Sequence, residues 1–224
     1  MAKKFDEKST VVREHPRHVP VTKKNPRGIT LVHRHIRRLP GTYLDASEIE
    51  KVFKKYDRRK LMYPTSKRLM EYNNSDKYDE HIAIWTDYFN NVFNSNPPLD
   101  PDVVKALIAS ESGFKADPPG NKIATGIAQI TKQTLEILQD PRGEAKDFIF
   151  NKIRQKDLKD PAVAIPMAVR WLFRKKETVR NKLRRDPTSE ELILEYKGML
   201  KSGTDLKINA LENFKDHYEK LKKE

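Results

Sequence analysis

Glu111 is the side chain in this sequence with the clearest capacity for acid–base chemistry. It follows Leu107 and Ile108 at helical spacing, on the apolar stripe of a helix that we predict from Asp100 to Ser112. A carboxyl group on that stripe points toward the core, where burial favours its neutral form. General acid catalysis near neutral pH needs a protonated carboxyl of this kind. The alternative is structural, with Glu111 capping a neighbouring helix or pairing with an arginine.

Two further sets of side chains could take part in chemistry. The nearby acidic residues, each interpreted as a solvated loop charge, are Asp117, Asp140, Glu144 and Asp147. His33 and His35 alternate along an extended stretch and so would share one face. Their neighbours are arginines and no third ligand is apparent, so we predict a solvated basic strand and no metal site.

The residues that follow Glu111 resemble a known family. Glu111-Ser112 ends the predicted helix, and Gly126-Ile127-Ala128-Gln129 comes after a Pro- and Gly-containing loop. This resembles the transglycosylase SLT domain, the lysozyme-like fold of the soluble lytic transglycosylases. In that family Glu-Ser is followed at a set distance by a Gly-Leu-Met-Gln-like motif, and the spacing from Glu111 to Gln129 matches it.

The resemblance continues over residues 100–200, with three departures from the family pattern. The family's next motif is similar to Asp160-Pro161, Ala164-Ile165, Ala168 and Trp171-Leu172. Its Tyr-Asn-x-Gly motif is similar to Tyr196-Lys197-Gly198, in which the spacing is shortened. The departures are Gly120 where a serine is usual, Ala128 where a methionine is usual, and Lys197 where an asparagine is usual.

The resemblance implies cleavage of the β-1,4 bond between N-acetylmuramic acid and N-acetylglucosamine in peptidoglycan, with a 1,6-anhydromuramyl product. Glu111 would act first as acid and then as base, no cofactor would be needed, and Thr131 stands where goose-type lysozymes have an aspartate. The implied substrate-binding residues are Ser112, Asn121, Ile127, Gln129 and Tyr196. The alternatives are muramidase-type hydrolysis, or a non-catalytic protein that binds wall polymer or nucleic acid.

The apolar patterning predicts a mainly α-helical protein. Residues 98–224 would form the lysozyme-like domain, and residues 1–97 a basic region of mixed structure. In that region we predict a hairpin of strands 19–22 and 29–32 around Asn25-Pro26-Arg27-Gly28, then helices from a Ser47/Glu50 capping box, over 66–72 and over 79–93. A later helix would follow the start signal Asp160-Pro161, with a late start or a kink because of Pro166. Further helices would run from Thr188 to a stop at Gly203 and occupy the C-terminus.

Composition excludes several classes of protein. The 224 residues contain no cysteine, which removes disulfides, zinc fingers, iron–sulfur clusters and thiol nucleophiles. The formal net charge is +13, and residues 1–40 hold eleven basic and three acidic side chains, a balance that attracts polyanions. No standard nucleic-acid recognition motif accompanies this charge, so we expect peptidoglycan strands as the partner and no specific nucleic acid.

The expected site of action lies outside the cytoplasm, in the periplasm or cell wall. No apolar stretch is long enough for a transmembrane segment, and the first residues lack the apolar core of a signal peptide. We therefore expect export by a non-standard route or phage-type release, a possible interaction of the N-terminal region with delivery or secretion machinery, and a monomer.

Overall fold

The computed structural model describes residues 9–12, 15–32, 35–38, 43–66, 69, 71–119 and 123–223. Its N-terminal part is an antiparallel ribbon of two strand pairs: β1 (Ser9–Val12) pairs with β4 (His35–Arg38), and β2 (His15–His18) with β3 (Ile29–Val32). The predicted turn is confirmed, because Gly28 N donates to Asn25 O at 3.1 Å.

The predicted first strand of this hairpin, residues 19–22, was placed too late. The strand that pairs with β3 is β2, and residues 19–22 make only a bridge from Thr22 to Asn25 and a hydrogen bond from Val19 N to Gly28 O. Residues 22–28 form two successive turns, with Asn25 N donating to Thr22 O and Gly28 N to Asn25 O, so regular strand pairing is confined to the residues before Val19.

The rest of the described chain is mainly α-helical, as predicted. The helices are α1 (Ala46–Lys55), α2 (Asp79–Phe93), α3 (Pro101–Ser112), α4 (Lys132–Gln139), α5 (Pro161–Leu183), α6 (Ser189–Tyr196) and α7 (Thr204–Lys222), with a 3-10 helix at Gln155–Lys159. Two short strand pairs accompany them: β5 (Tyr43–Leu44) with β8 (Ile149–Phe150), and β6 (Ala124–Thr125) with β7 (Ile130–Thr131).

The caps of α3, α5 and α6 confirm the predicted starts. Asp100 accepts from Asp102 N and Asp160 from Ala162 N, and Thr188 forms a capping box with Glu191. α5 begins at Pro161 and continues through Pro166, so the late start expected from Pro166 is wrong.

Three helix boundaries differ from the prediction. α1 is capped by Asp45, whose side chain accepts from Glu48 N, and not by Ser47. α6 ends at Tyr196, and Gly203 is instead the N-cap of α7. Among the described residues of 66–72 there is no helix.

One hydrophobic core holds these helices together. It includes buried side chains before residue 97, such as Leu44, Trp85 and Phe89, together with the buried faces of α3 and α5. The division of the chain at residue 97 stays a prediction.

α3 lies between α2 and α7 and is buried along most of its length, so its last turn is held in a fixed position.

α3 is further anchored by a buried lysine. Lys105 Nζ donates to Thr65 O at 2.9 Å, to Asp76 Oδ1 at 2.6 Å and to Asp79 Oδ2 at 3.0 Å, and its side chain is fully buried. All three ammonium hydrogens therefore have partners, as a buried charge requires.

Across the described residues, no helix combines the length and apolar character needed to cross a membrane.

Candidate active site

Glu111 lies in the last turn of α3, one residue before Ser112 ends the helix. Gly113 follows in the left-handed region at φ 56° and donates its amide to Ala109 O, which closes the helix. A side chain at residue 113 would press on the Tyr72 ring, since a Cβ there would lie 2.9 Å from it. The left-handed turn at Gly113 ends the helix. Glu111 therefore sits at the edge of the core, with 16% of its side chain exposed.

The Gly126–Gln129 motif forms the turn of the β6–β7 hairpin. Gln129 N donates to Gly126 O at 3.1 Å, and the Gln129 side chain donates to the same oxygen at 2.9 Å. Gln129 has a φ of 48°, a left-handed conformation that is uncommon outside glycine. The turn therefore holds the Gln129 backbone and amide group in one arrangement.

Neighbouring elements fix this turn from two sides. The Gln155 amide donates to Thr125 Oγ1 at 2.9 Å and to Ile130 O at 3.1 Å, which joins the two short strands. The Tyr196 hydroxyl donates to Ala128 O at 2.9 Å. Burial, together with the negative charge of Glu111, raises the pKa of Tyr196 well above its ordinary value, so this hydroxyl stays protonated.

The carboxylate of Glu111 is paired with Lys197. Lys197 Nζ lies 2.5 Å from Glu111 Oε1, and the two side chains are 19% and 16% exposed. Lys197 is the C-cap of α6, and Gly198 after it turns the chain at φ 73°. The end of α6 therefore brings two consecutive side chains to the site, with Tyr196 on the turn and Lys197 on the carboxylate.

The structure links two of the predicted site residues, because Tyr196 lies within the electrostatic reach of Glu111 and also donates to Ala128 O in the turn that contains Gln129. The side chains of Glu111, Ser112, Gln129 and Tyr196 are each partly exposed. Ser112 donates its hydroxyl to Ile108 O at 3.2 Å. Ile127 is fully buried in the core, and Asn121 and Gly120 lie outside the described residues.

The other acidic residues near Glu111 in sequence are engaged elsewhere or exposed. Asp117 pairs with Lys159 at 2.8 Å, and Glu144 pairs with Arg174 at 3.0 Å. Asp140 accepts from Arg142 N, and Asp147 is exposed. Thr131 caps α4 by accepting from Thr134 N. The side chains of His33 and His35 lie outside the described part of the chain.

The contact from Lys197 to Glu111 is the feature of the site that the sequence did not predict. The available signal was the lysine in the Tyr196-Lys197-Gly198 motif, since a cation that is partly buried needs an anionic partner. Trp171, which could have stacked on a sugar ring, is buried in the core.

Comparison with known families identifies the stretch that builds this site. A family model described as the transglycosylase SLT domain matches residues 90–196, from α2 through the last residue of α6. Residues 90–196 of this chain match the transglycosylase SLT domain, the family that the sequence motifs resemble. No curated protein matches the chain significantly.

The SLT domain accounts for the helical, lysozyme-like architecture around Glu111. At the level of the family it implies lytic transglycosylase-type activity on peptidoglycan. Lys197 and all of α7 lie beyond the matched stretch, although α7 packs on α3 and Lys197 contacts Glu111. Residues outside the family match therefore contact both Glu111 and the helix that carries it.

Proposed function

We propose that this protein is a peptidoglycan lytic transglycosylase in which Glu111 is the general acid and base. The observation that carries the proposal is the Glu111 carboxyl group, held by a buried helix and linked through Tyr196 to the Gly126–Gln129 turn, within the stretch that matches the SLT domain. Glycosidases that hydrolyse their substrate usually need a second carboxylate to activate water.

The proposed reaction uses one carboxyl group twice. Protonated Glu111 donates its proton to the glycosidic oxygen as the bond between that oxygen and the muramyl anomeric carbon breaks. The 6-hydroxyl oxygen of the same muramyl residue then bonds to the anomeric carbon, and its proton passes to the Glu111 carboxylate. No water is consumed and Glu111 returns to its starting state. The product end is a 1,6-anhydromuramyl residue.

The environment of Glu111 supports this use of one group. Thr131 has a hydroxyl that already caps α4, so it offers no base for water. Asp117 and Glu144 hold surface cations, which leaves Glu111 as the acidic group at the end of α3. We further propose that Ser112, Gln129 and Tyr196 line the sugar-binding groove, because each is partly exposed near the turn.

Digestion of purified sacculi tests the proposed function. The wild-type protein should lower the turbidity of a sacculus suspension and release soluble muropeptides without added metal or cofactor. A wall-binding protein without catalytic activity would pellet with the sacculi and leave the turbidity unchanged. That outcome would reject the proposal.

A deletion of residues 1–40 should weaken binding to sacculi by about tenfold or more at low ionic strength, and should flatten its salt dependence. The deletion removes a formal charge of +8, and the ribbon strands pair with one another. Co-sedimentation at several salt concentrations measures the effect.

Turnover of small soluble glycan fragments is the control for this deletion and should barely change. A rise in that activity would instead make residues 1–40 an inhibitory cover. Loss of folding would show that they contribute to the core.

A further inference from the structure

His217, on α7, has a buried ring nitrogen with no hydrogen-bond partner among the described residues. Its side chain is 8% exposed, and the unpartnered atom is Nδ1. The other ring nitrogen, Nε2, lies 3.2 Å from the hydroxyl oxygen of Tyr72. A buried polar atom without a partner costs free energy, so a ligand bound at Nδ1 would remove that cost.

Two carboxylates face the unpartnered nitrogen. Glu71 Oε1 lies 3.7 Å from His217 Nδ1, and Asp216 Oδ2 lies 3.6 Å from it. Both distances are too long for a hydrogen bond. Two atoms that each lie about 2.0 to 2.2 Å from one ion in tetrahedral geometry are roughly 3.3 to 3.6 Å apart. The nitrogen and the two oxygens, which all lie within 4.8 Å of one another, therefore have nearly the spacing of ligands to a single ion.

We infer that Glu71, Asp216 and His217 form a binding site for one zinc ion. Imidazole nitrogen and carboxylate oxygen are ordinary zinc ligands, whereas calcium and magnesium take oxygen ligands. In the zinc-bound state Nε2 carries the ring proton and donates to the Tyr72 oxygen, which leaves the Nδ1 lone pair for the metal. Metal-ligating histidines are commonly oriented by such a hydrogen bond from the second nitrogen. The two carboxylate side chains are 38% and 57% exposed, so the ion can enter from solvent.

Lys220 supplies the positive charge between the two carboxylates in the structure. Its Nζ lies 2.8 Å from Glu71 Oε1 and 2.8 Å from Asp216 Oδ2. The ammonium group neutralises the carboxylates but leaves His217 Nδ1 without a partner. The lysine side chain is 36% exposed, so it can withdraw into solvent when an ion enters. Zinc would then satisfy the nitrogen and both oxygens together.

The zinc site would join the two stretches that flank the family match. Glu71 precedes residues 90–196, and α7 follows them. Tyr72 extends this junction toward α3, because its ring would contact any side chain at Gly113, the residue that ends α3. Zinc would therefore fasten α7 to the segment that supports the end of α3. This role is structural, and the reaction proposed for Glu111 takes no step through the metal.

Calorimetric titration of zinc chloride into the untagged, chelator-treated whole chain tests the inference. Asp216→Asn and His217→Gln should each bind zinc at least about tenfold more weakly than wild type, and Tyr72→Phe about 10- to 100-fold more weakly, because it removes the acceptor that orients the ring. Lys220→Met should bind zinc more tightly than wild type, because it removes the competing ammonium group. Asp205→Asn, in the first turn of α7 and about 17 Å along the helix from the site, is the matched control and should bind like wild type.

Three outcomes would overturn the inference. One is the absence of zinc binding to wild type. Another is equal zinc affinity in wild type, Asp216→Asn and His217→Gln, because the bound zinc would then lie on the histidines that every variant keeps, at residues 15, 18, 33, 35 and 81. The third is a Lys220→Met protein that binds zinc no more tightly than wild type. Asp216 is exposed, so Asp216→Asn can be measured even where His217→Gln does not fold.

Long-range ¹H–¹⁵N spectra of the histidine rings provide a readout that a general change in stability would not produce. Zinc should shift the Nδ1 resonance of His217, while Nε2 keeps its proton. The same concentrations of magnesium and calcium should leave both resonances in place. A His217 ring that does not respond to zinc, or that responds equally to magnesium, would reject the zinc site. Neither result depends on whether the protein degrades peptidoglycan.

Discussion

Replacing Glu111 with glutamine should reduce turnover of peptidoglycan by about 10²- to 10⁴-fold while the protein stays folded. Glutamine keeps the shape of the side chain but has no acidic proton to deliver to the glycosidic oxygen. Its amide oxygen can still accept from Lys197, whose ammonium group lies 2.5 Å from Glu111 Oε1 in the native protein. Turnover is measured as the rate of release of soluble muropeptides from sacculi, and folding by circular dichroism and thermal unfolding.

The matched control is Asp117→Asn. Asp117 lies in the loop after α3 and pairs with Lys159 on the surface, where an ion pair contributes about 0 to 1 kcal/mol. This variant removes one carboxylate from the same region and should keep close to wild-type turnover. Retention of more than about a tenth of the activity by Glu111→Gln would assign the acid to another residue.

Replacing Gly126 with alanine should destabilise the protein by about 2 to 6 kcal/mol, because backbone strain and overpacking each cost about 1 to 3 kcal/mol. Gly126 has a φ of 81°, which disfavours any side chain, and a Cβ there would lie 2.0 Å from the backbone oxygen of Leu158. A backbone atom cannot rotate away, so the 3-10 helix or the turn would have to move. Urea unfolding followed by tryptophan fluorescence measures the change.

Gly198→Ala is the control that separates these two causes. Gly198 has a φ of 73°, close to that of Gly126, but no atom lies within 4 Å of the position a Cβ would take. This variant should lose only the strain of about 1 to 2 kcal/mol. Equal losses in the two variants would mean that the contact with Leu158 O contributes nothing.

Local signals predicted the part of the fold that carries Glu111. Asp100-Pro101 and Thr188 with Glu191 act within one helical turn, so the starts of α3 and α6 could be derived from neighbouring residues. The predicted N-cap of α1 was wrong, because Ser47 and Asp45 are both residue types that favour the N-cap position. Asp45 accepts the Glu48 amide here and the Ser47 hydroxyl as well.

Long-range contacts account for what the sequence could not predict in the candidate site. Lys197 and Glu111 are 86 residues apart, and their contact depends on how α6 ends against α3. Tyr196, implied as a substrate-binding residue, donates its hydroxyl to Ala128 O, 68 residues away. Helical periodicity gives the face of a residue on its own helix but not the group that meets it.

Mass spectrometry of the muropeptides that the wild-type protein releases from purified sacculi tests the central claim most directly. With Glu111 as the only catalytic carboxyl and the muramyl 6-hydroxyl as nucleophile, the new ends should be 1,6-anhydromuramyl residues, each lighter by one water than a reducing end. The same ends should be absent after incubation with Glu111→Gln. New reducing muramyl ends would contradict the account, because they would show that the protein activates water as a hydrolase.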